Sequence, residues 1–308
     1  MTRFFDQKNI ILAQVQEKDL NSFLVSFDID DYGNPLYQLD KFTEAIINVI
    51  PEYVFASYED PKIPQHQVIE KLREAAKSIY KIKDFELMYR YYMEKDDSVL
   101  TEIKPNNRGG FGELILHLLL RDFKGTIPLI SKVYFKDSTG VPAHGFDAVH
   151  ISPDEKILWL GESKFYKDGK GGLKELLKDL ENHFKKDYLE EQFTVVKKNL
   201  SVNQIPQREK WIEILNTCTL LKDQIKMINI PMLCTYEHDI YSKYSDLQCE
   251  EAVNYHESNI RDLKKYFDDH NEHSLKSVLN IILFLFPIKE KTELVKKLHE
   301  RLYHLQSI

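Results

Sequence analysis

One stretch in the middle of the chain constrains the fold more than any other. Residues 145–164, GFDAVHISPDEKILWLGESK, contain two short apolar runs joined by the turn-rich sequence SPDE. Apolar runs of this length bounded by turn residues are typical of strands, and so short a connection favours an antiparallel hairpin. Asp147 lies in the first run, and Glu162 and Lys164 lie at the end of the second. Because a buried charge is costly unless a partner compensates it, these three residues require an explanation.

Helical and strand patterns alternate around this hairpin. Residues 111–123, FGELILHLLLRDF, predict a buried helix because they are apolar almost all round. TIPLISKVYF at 126–135 then predicts a strand, and 173–193 have apolar residues at helical spacing, after the glycines of KDGKGG. INIPMLCTY at 228–236 predicts a further strand, which we place at a sheet edge because Pro231 has no N–H to donate. The order predicts an α/β (α+β) fold with a mixed sheet flanked by helices.

The flanking regions differ from this central part. Before it, NIILAQVQ and FLVSFDI predict strands, and 41–57 and 66–82 have helical spacing; after it, the last seventy residues have a helical appearance. We therefore divide the chain into an N-terminal mixed α/β unit at 1–107, a core at 108–240 and a C-terminal helical region at 241–308. An apolar stripe near the end predicts a packed core face, with a docking surface for a partner helix as the alternative: Leu294, Val295, Leu298, Leu302, Leu305.

Composition excludes several classes of protein. With 308 residues and 43% hydrophobic residues, the chain can bury a large core. Its net charge of -7 argues against coating nucleic acid through a global positive field. The three cysteines form no CxxC pair, which favours neither disulfides nor zinc and suits a reducing cytoplasm. The most apolar run, 278–286, is far shorter than the roughly 18–20 residues that span a bilayer. We expect no membrane association and no small-molecule cofactor.

The pattern acid, any residue, lysine is weak by itself, since it occurs eight times in this chain. The copy at Glu162 and Lys164 differs because it ends an apolar strand, where residues two apart project from the same face. The hairpin brings Asp147 beside Glu162, and two carboxylates repel each other unless a divalent ion lies between them. Oxygen ligands without clustered Cys or His favour Mg²⁺ or Mn²⁺. A structural salt-bridge network is the alternative.

Further polar residues surround these three. Glu113 is the single acid in the first eight residues of the apolar helix, where it is either a third metal ligand or an acid favoured by the helix dipole. His117, one turn later, is more simply a core histidine. Seven lysines follow the second strand, as a solvated helix face or as a strip that tracks phosphates towards the site, with nearby glycines admitting backbone amides: Lys164, Lys167, Lys170, Lys174, Lys178, Lys185, Lys186.

These parts suit phosphodiester hydrolysis. An Mg²⁺ ion held by two carboxylates polarises a phosphoryl oxygen and lowers the pKa of a bound water. A lysine beside it orients that water or stabilises the developing negative charge. A two-carboxylate glycosidase is a weaker hypothesis, because it leaves Lys164 without a role.

The sequence also resembles a known family. The chain resembles HamA, the nuclease subunit of the Hachiman antiphage system, in the segments RGGFGELILHLLL, GFDAVHI and LGESKFY. HamA is similar to the PD-(D/E)xK nuclease superfamily, whose core has the order helix, three strands, helix, strand. The resemblance implies a restriction-endonuclease-like core in which Asp147, Glu162 and Lys164 form the motif, with Glu113 as the helix acid. Phe146 stands where the superfamily often has proline.

The resemblance implies a partner and a mode of action. HamA-type proteins work with a superfamily 2 helicase, HamB, which holds the nuclease inactive until it engages DNA; release then allows DNA degradation. On this basis the chain is expected to be an Mg²⁺-dependent DNA endonuclease, and the flanking regions are candidates for the helicase-binding surface. A non-catalytic adaptor that scaffolds the helicase is the alternative.

Overall fold

A central sheet organises the molecule. The computed structural model describes residues 9–55, 67–79, 87, 89–91, 94–96, 98, 110–130, 145–152, 157–202, 208–217 and 220–307. Within these ranges seven strands form one sheet in the order β1-β2-β9-β8-β7-β6-β5, and two short strands, β3 and β4, form another. The strands are β1 Ile11–Gln16, β2 Leu20–Val25, β3 Phe27–Ile29, β4 Pro35–Tyr37, β5 Ile127–Ile130, β6 Ala148–Ser152, β7 Ile157–Phe165, β8 Ile228–Glu237 and β9 Asn280–Ile288.

The sheet is mixed. Strands β5, β6 and β7 are antiparallel neighbours, β7, β8, β9 and β2 run parallel, and β1 is antiparallel to β2. The helices of the described ranges are α1 Leu39–Asn48, α2 Ile50–Phe55, α3 Val68–Ile79, α4 Gly110–Lys124, α5 Gly169–His183, α6 Lys186–Val202, α7 Arg208–Thr217, α8 Leu221–Ile225, α9 Ile240–Lys243, α10 Glu250–His270 and α11 Lys291–Ser307. None of them combines the length and apolar character needed to cross a membrane.

Helices cover both faces of the sheet. Alternation along β8 shows the division: Leu233 belongs to the core under α1, α2, α4 and α11, while Met232 and Cys234 belong to the core under α5, α6 and α10. Neighbouring side chains on a strand point to opposite faces, so a strand buried on both sides contributes to both cores. The prediction of an α/β fold with a mixed sheet flanked by helices is therefore confirmed.

The placement of residues 228–236 at a sheet edge was wrong. β8 lies fourth of seven strands, between β9 and β7. Its pairing with β9 continues through Pro231, whereas its pairing with β7 has a gap at residues 160–161 opposite 230–231. A Cβ on Gly161 would lie 3.0 Å from Cγ of Pro231. The proline is accommodated because its missing N–H falls in this gap and the residue facing its ring has no side chain.

The sequence pattern predicted a helical C-terminal region, but the structure shows that this region also contains a strand. Residues 280–288 form β9, which is buried along most of its length in the middle of the sheet. The predicted helix over 173–193 is also two helices, α5 and α6, separated at residues 184–185. The apolar stripe of α11 does pack into the core: Leu294, Val295, Leu298 and Leu302 are buried, and Leu305 packs against them. The prediction that this stripe is a packed core face is confirmed.

The remaining expectations mostly agree with the structure. The N-terminal segments form β1, β2, β3, α1, α2 and α3, and the helix chain breaks at residue 49, just before Pro51. The strand predicted over 126–135 is described only as β5, since 131–144 lie outside the described residues. Each of the segments 1–107, 108–240 and 241–308 contributes at least one strand to the seven-stranded sheet. Whether these three segments are separate folding units stays a prediction.

Candidate active site

The two acids of the predicted hairpin lie where the ladder between its two strands ends. β6 and β7 pair antiparallel, as predicted, and their ladder runs from Ser152 opposite Ile157 to Ala148 opposite Gly161. Asp147 and Glu162 are the residues just beyond this last pair. Directly opposite residues of an antiparallel pair share a face of the sheet. The charge of Asp147 acts on the Glu162 carboxyl accordingly.

Asp147 is held by the strand beside it. Asp147 is 6% exposed, and its Oδ2 accepts two hydrogen bonds of 2.9 Å, one from the backbone N–H of Ser163 and one from its hydroxyl. Ser163 therefore fixes one oxygen of Asp147 at the place where β6 begins.

Glu162 is buried beside a histidine that the sequence reading did not single out. Oε1 of Glu162 lies 2.7 Å from Nδ1 of His183, at the end of α5. Burial, followed by the charge of Asp147, raises the pKa of Glu162 to about 8 although the hydrogen bond from His183 opposes the shift. Burial also opposes charge on His183, but the hydrogen bond and charge of Glu162 outweigh it and raise the pKa of His183.

Lys164 projects from the same face of β7 as Glu162. Its ammonium forms an ion pair with Asp179 of α5, and both side chains are largely buried, 25% and 21% exposed. Burial disfavours the charged lysine, but Asp179 outweighs this effect, so the pKa of Lys164 is raised. Asp147 and Glu162 act on it in the same direction. Lys164 therefore stays a cation beside the two acids.

Glu113 lies in the first turn of α4, the helix that covers the face of the sheet opposite to α5. Its Oε2 accepts a 2.5 Å hydrogen bond from the hydroxyl of Tyr53. Burial and then the charge of Glu113 raise the pKa of Tyr53 well above its usual value, so that hydroxyl keeps its proton. Asp147 also acts on the Tyr53 hydroxyl. Glu113 and Asp147 thus lie near the same tyrosine.

His117 belongs to the core, as expected. It is fully buried, its Nδ1 lies 3.0 Å from Nε2 of His150, and Nδ1 of His150 lies 2.8 Å from the hydroxyl of Thr126. Burial lowers the pKa of His117 far below its usual value and that of His150 to about 3. Both rings are neutral. His144 lies outside the described residues.

The glycines after β7 have a packing role. A Cβ on Gly172 would lie 2.5 Å from Sγ of Cys234, and a Cβ on Gly169 would lie 3.1 Å from Cδ1 of Leu263. The backbone N–H of Gly171 donates to Asp168, which caps α5. These contacts let α5 lie close to the sheet. They do not support the view that the glycines open their amides to phosphates.

The lysines after β7 do not form a uniform strip. Lys164 pairs with Asp179, while the exposed Lys178 pairs with Glu175 over 2.6 Å. The ammonium of Lys170 lies 5.7 Å from the ring centre of Tyr266. Lys167, Lys174, Lys185 and Lys186 are exposed. A mainly solvated helix face fits these contacts, and a phosphate-tracking role stays a prediction.

The chemistry of the site suits a hard divalent cation. Asp147 and Glu162 are both buried, and the charge of Asp147 adds to the effect of burial in raising the pKa of Glu162, so a cation between them would relieve their repulsion. Oxygen donors of this kind are the ligands that Mg²⁺ and Mn²⁺ prefer. Within the described residues, no three His, Cys, Asp or Glu side chains gather into a metal-holding group. The ligand set with Glu113 as a third member stays a prediction.

Sequence reasoning missed the partners of the site, namely Ser163, Asp179, His183 and Tyr53. A signal existed for two of them. His183 follows Leu176 by seven residues and Leu180 by three, which places it on the buried side of α5, and Asp179 lies one turn before it. Ser163 and Tyr53 carry no comparable pattern.

Comparison with known proteins gives one family. A family model described as HamA matches residues 3–302, which is nearly the whole chain. No curated protein matches the sequence.

Proposed function

We propose a function from the premise that the family match provides: the chain belongs to the HamA family. Membership implies a component of the Hachiman defence system, in which HamB is the partner. We propose that the chain is the nuclease of that system, a metal-dependent DNA endonuclease restrained by the helicase and released when the helicase engages DNA. The order of α4, β5, β6, β7, α5 and β8 supports a PD-(D/E)xK core for this function.

The observation that carries the proposal is the arrangement of Asp147, Glu162 and Lys164. Two buried carboxyl groups lie just beyond the last pair of the ladder between β6 and β7, and a lysine that stays protonated projects from the same face as Glu162. Burying an acid is costly whether it ionises or keeps its proton above its ordinary pKa, so an adaptor without catalytic function has no need to place two acids at this point.

Each residue has a distinct role in the proposed reaction. Asp147 and Glu162 would hold Mg²⁺, and Glu113 would contribute a third carboxyl group from α4. When bound, the ion polarises a phosphoryl oxygen and lowers the pKa of a water. Ser163 keeps Oδ2 of Asp147 in place through its backbone N–H and its hydroxyl, which orients the carboxyl group for the proposed cation. The Lys164 ammonium stabilises the negative charge that develops on the phosphate and orients the attacking water.

The test uses the purified chain without helicase. Closed circular and linear DNA are incubated with Mg²⁺, Mn²⁺ or EDTA, and nicks and breaks are measured on gels. We expect cleavage that EDTA stops and that Asp147→Asn, Glu162→Gln and Lys164→Ala each abolish. Glu181→Gln is the matched control, because Glu181 is an exposed acid on α5. Glu113→Gln is expected to weaken cleavage.

A second readout separates the nuclease from the adaptor. Cells that carry the complete system with Asp147→Ala are challenged with phage, and assembly with the helicase is checked by co-purification. Loss of protection with an intact complex supports catalysis. Full protection by the Asp147→Ala complex would refute it.

A further inference from the structure

Helix α5 meets the catalytic strand with two polar side chains spaced to match it. Asp179 and His183 are four residues apart, which is about 6 Å along a helix. Glu162 and Lys164 are two residues apart, which is about 6.6 Å along a strand. His183 contacts Glu162 over 2.7 Å and Asp179 forms an ion pair with Lys164. Because the two spacings are similar, both contacts can form at once.

These contacts differ from ordinary surface ion pairs. The side chain of Glu162 is 3% exposed and that of His183 is 26% exposed, whereas Lys178 on the outer side of the same helix is 54% exposed. Exposed pairs are weak because water screens them and both chains stay mobile. The pairs on the inner side of α5 lie out of most of that solvent, so they hold their members more firmly.

The imidazole of His183 is itself fixed by aromatic neighbours. It stacks on Tyr188 of α6, with ring centres 5.0 Å apart and planes 11° apart. Phe146, next to Asp147, meets the His183 ring edge-on at 6.3 Å. The ring that contacts Glu162 therefore has a defined orientation.

The helix that carries both residues is also fixed against the sheet. Gly172 brings α5 so close to β8 that an added Cβ would lie 2.5 Å from Cys234. Asp168 caps the first turn by accepting a 2.7 Å hydrogen bond from Gly171. Asp179 and His183 thus approach β7 from a backbone that has little freedom to move.

We propose that His183 and Asp179 are positioning residues: His183 orients the Glu162 carboxyl for the metal ion, and Asp179 holds the Lys164 ammonium for the phosphate. The proposal rests on the proposed function of the site. Glutamate and lysine side chains lose considerable rotamer freedom when they are fixed. Partners that orient metal ligands typically contribute 10–100-fold to metal affinity or activity, roughly.

The first experiment measures Mn²⁺ binding to the full chain by electron paramagnetic resonance, so it does not depend on cleavage. His183→Ala is expected to weaken Mn²⁺ binding about 10–100-fold. His183→Asn, whose amide N–H₂ replaces the Nδ1 donor, is expected to restore much of the affinity. Glu181→Gln is the control on the same helix. Thermal unfolding identifies variants that are not folded, and His183→Gln replaces any alanine variant that fails.

The second experiment measures DNA cleavage with saturating Mg²⁺. Asp179→Asn is expected to lower kcat about 10–100-fold with little change in KM, and Asp179→Glu to recover part of the loss. Equal kcat for Asp179→Asn and Glu181→Gln would overturn the role of Asp179. Unchanged Mn²⁺ affinity in His183→Ala would overturn the role of His183.

The two proposals fail in different ways. A wild-type chain that binds Mn²⁺ but leaves DNA intact refutes the nuclease proposal, while the Mn²⁺ affinities still decide the role of His183. Cleavage by the wild type together with wild-type behaviour of both positioning variants refutes only the present inference. A wild-type chain that binds no Mn²⁺ refutes both.

Discussion

Replacing Glu162 by glutamine is expected to stabilise the protein when no metal ion is present. The pKa of Glu162 rises from its ordinary 4.5 to about 8, because the group is buried and faces Asp147. The folded chain therefore keeps a proton that the unfolded chain releases. The stability linked to this group is full below pH 4.5 and is lost as the pH rises through about 8.

The size of the effect follows from the pKa difference. Each pH unit between the two values costs about 1.4 kcal/mol, so the loss is about 3 kcal/mol at pH 7 and approaches about 5 kcal/mol above pH 8. Glutamine cannot ionise, so the Glu162→Gln variant does not lose this stability. The variant's advantage should grow by about 4 kcal/mol between pH 5 and pH 9.

The assay is urea unfolding in EDTA at pH 5, 7 and 9, with the exposed Glu181→Gln as the charge-matched control. Comparing the two ends of the pH range removes any fixed cost of burying the amide. Mg²⁺ or Mn²⁺ should then stabilise the wild type more than Glu162→Gln, since the bound cation replaces the proton. A pH-independent difference between variant and wild type would show that Glu162 is not buried against Asp147, and the reasoning about the site would fail.

Three further predictions concern the fold around the site. Gly161→Ala should lose about 1–3 kcal/mol of stability in urea, because its Cβ would lie 2.8 Å from a leucine side chain, whereas Gly110→Ala, with open space around it, should change little; equal effects would contradict the tight packing. Burial lowers the pKa of His256 to about 4, so the stability linked to its neutral ring is full above pH 6.5 and falls by about 1.4 kcal/mol per pH unit towards pH 4. The free energy of unfolding of His256→Gln in urea should therefore fall less steeply with acid than that of the wild type; an unchanged pH dependence would contradict this. Tyr53→Phe removes the hydrogen bond to Glu113 and should cost about 1–3 kcal/mol in urea unfolding; a neutral result would mean that this bond is not formed.

The hairpin and its two acids could be predicted because the relevant rules are local. The period of two along a strand fixes which side chains share a face, and a short turn makes the strands antiparallel. The proximity of Asp147 and Glu162 could therefore be predicted from the order of residues alone. Their partners Asp179 and His183 do not, because the contact depends on how α5 packs across the sheet. Helical spacing places them on the inner face but does not say which strand residues they meet.

Two errors have a physical cause in tertiary structure. Pro231 argued for an edge strand, but Gly161 makes room for its ring and the ladder has a gap at that point. Residues 280–288 are apolar on both sides because both faces of β9 are covered. A strand of this kind lacks alternation, so its pattern resembles that of a buried helix.

The pairing of β2 with β9 has a consequence for the order in which the molecule is completed. Leu20 lies beside Leu283, so a strand made early in synthesis waits for one made late. Until β9 is made, both β2 and β8 have an open edge towards the middle of the sheet. Contacts so distant along the chain form slowly, and nascent chains fold from the N-terminus onwards. In the proposed nuclease, the candidate active site therefore lies on a complete seven-stranded sheet only after synthesis has passed residue 288.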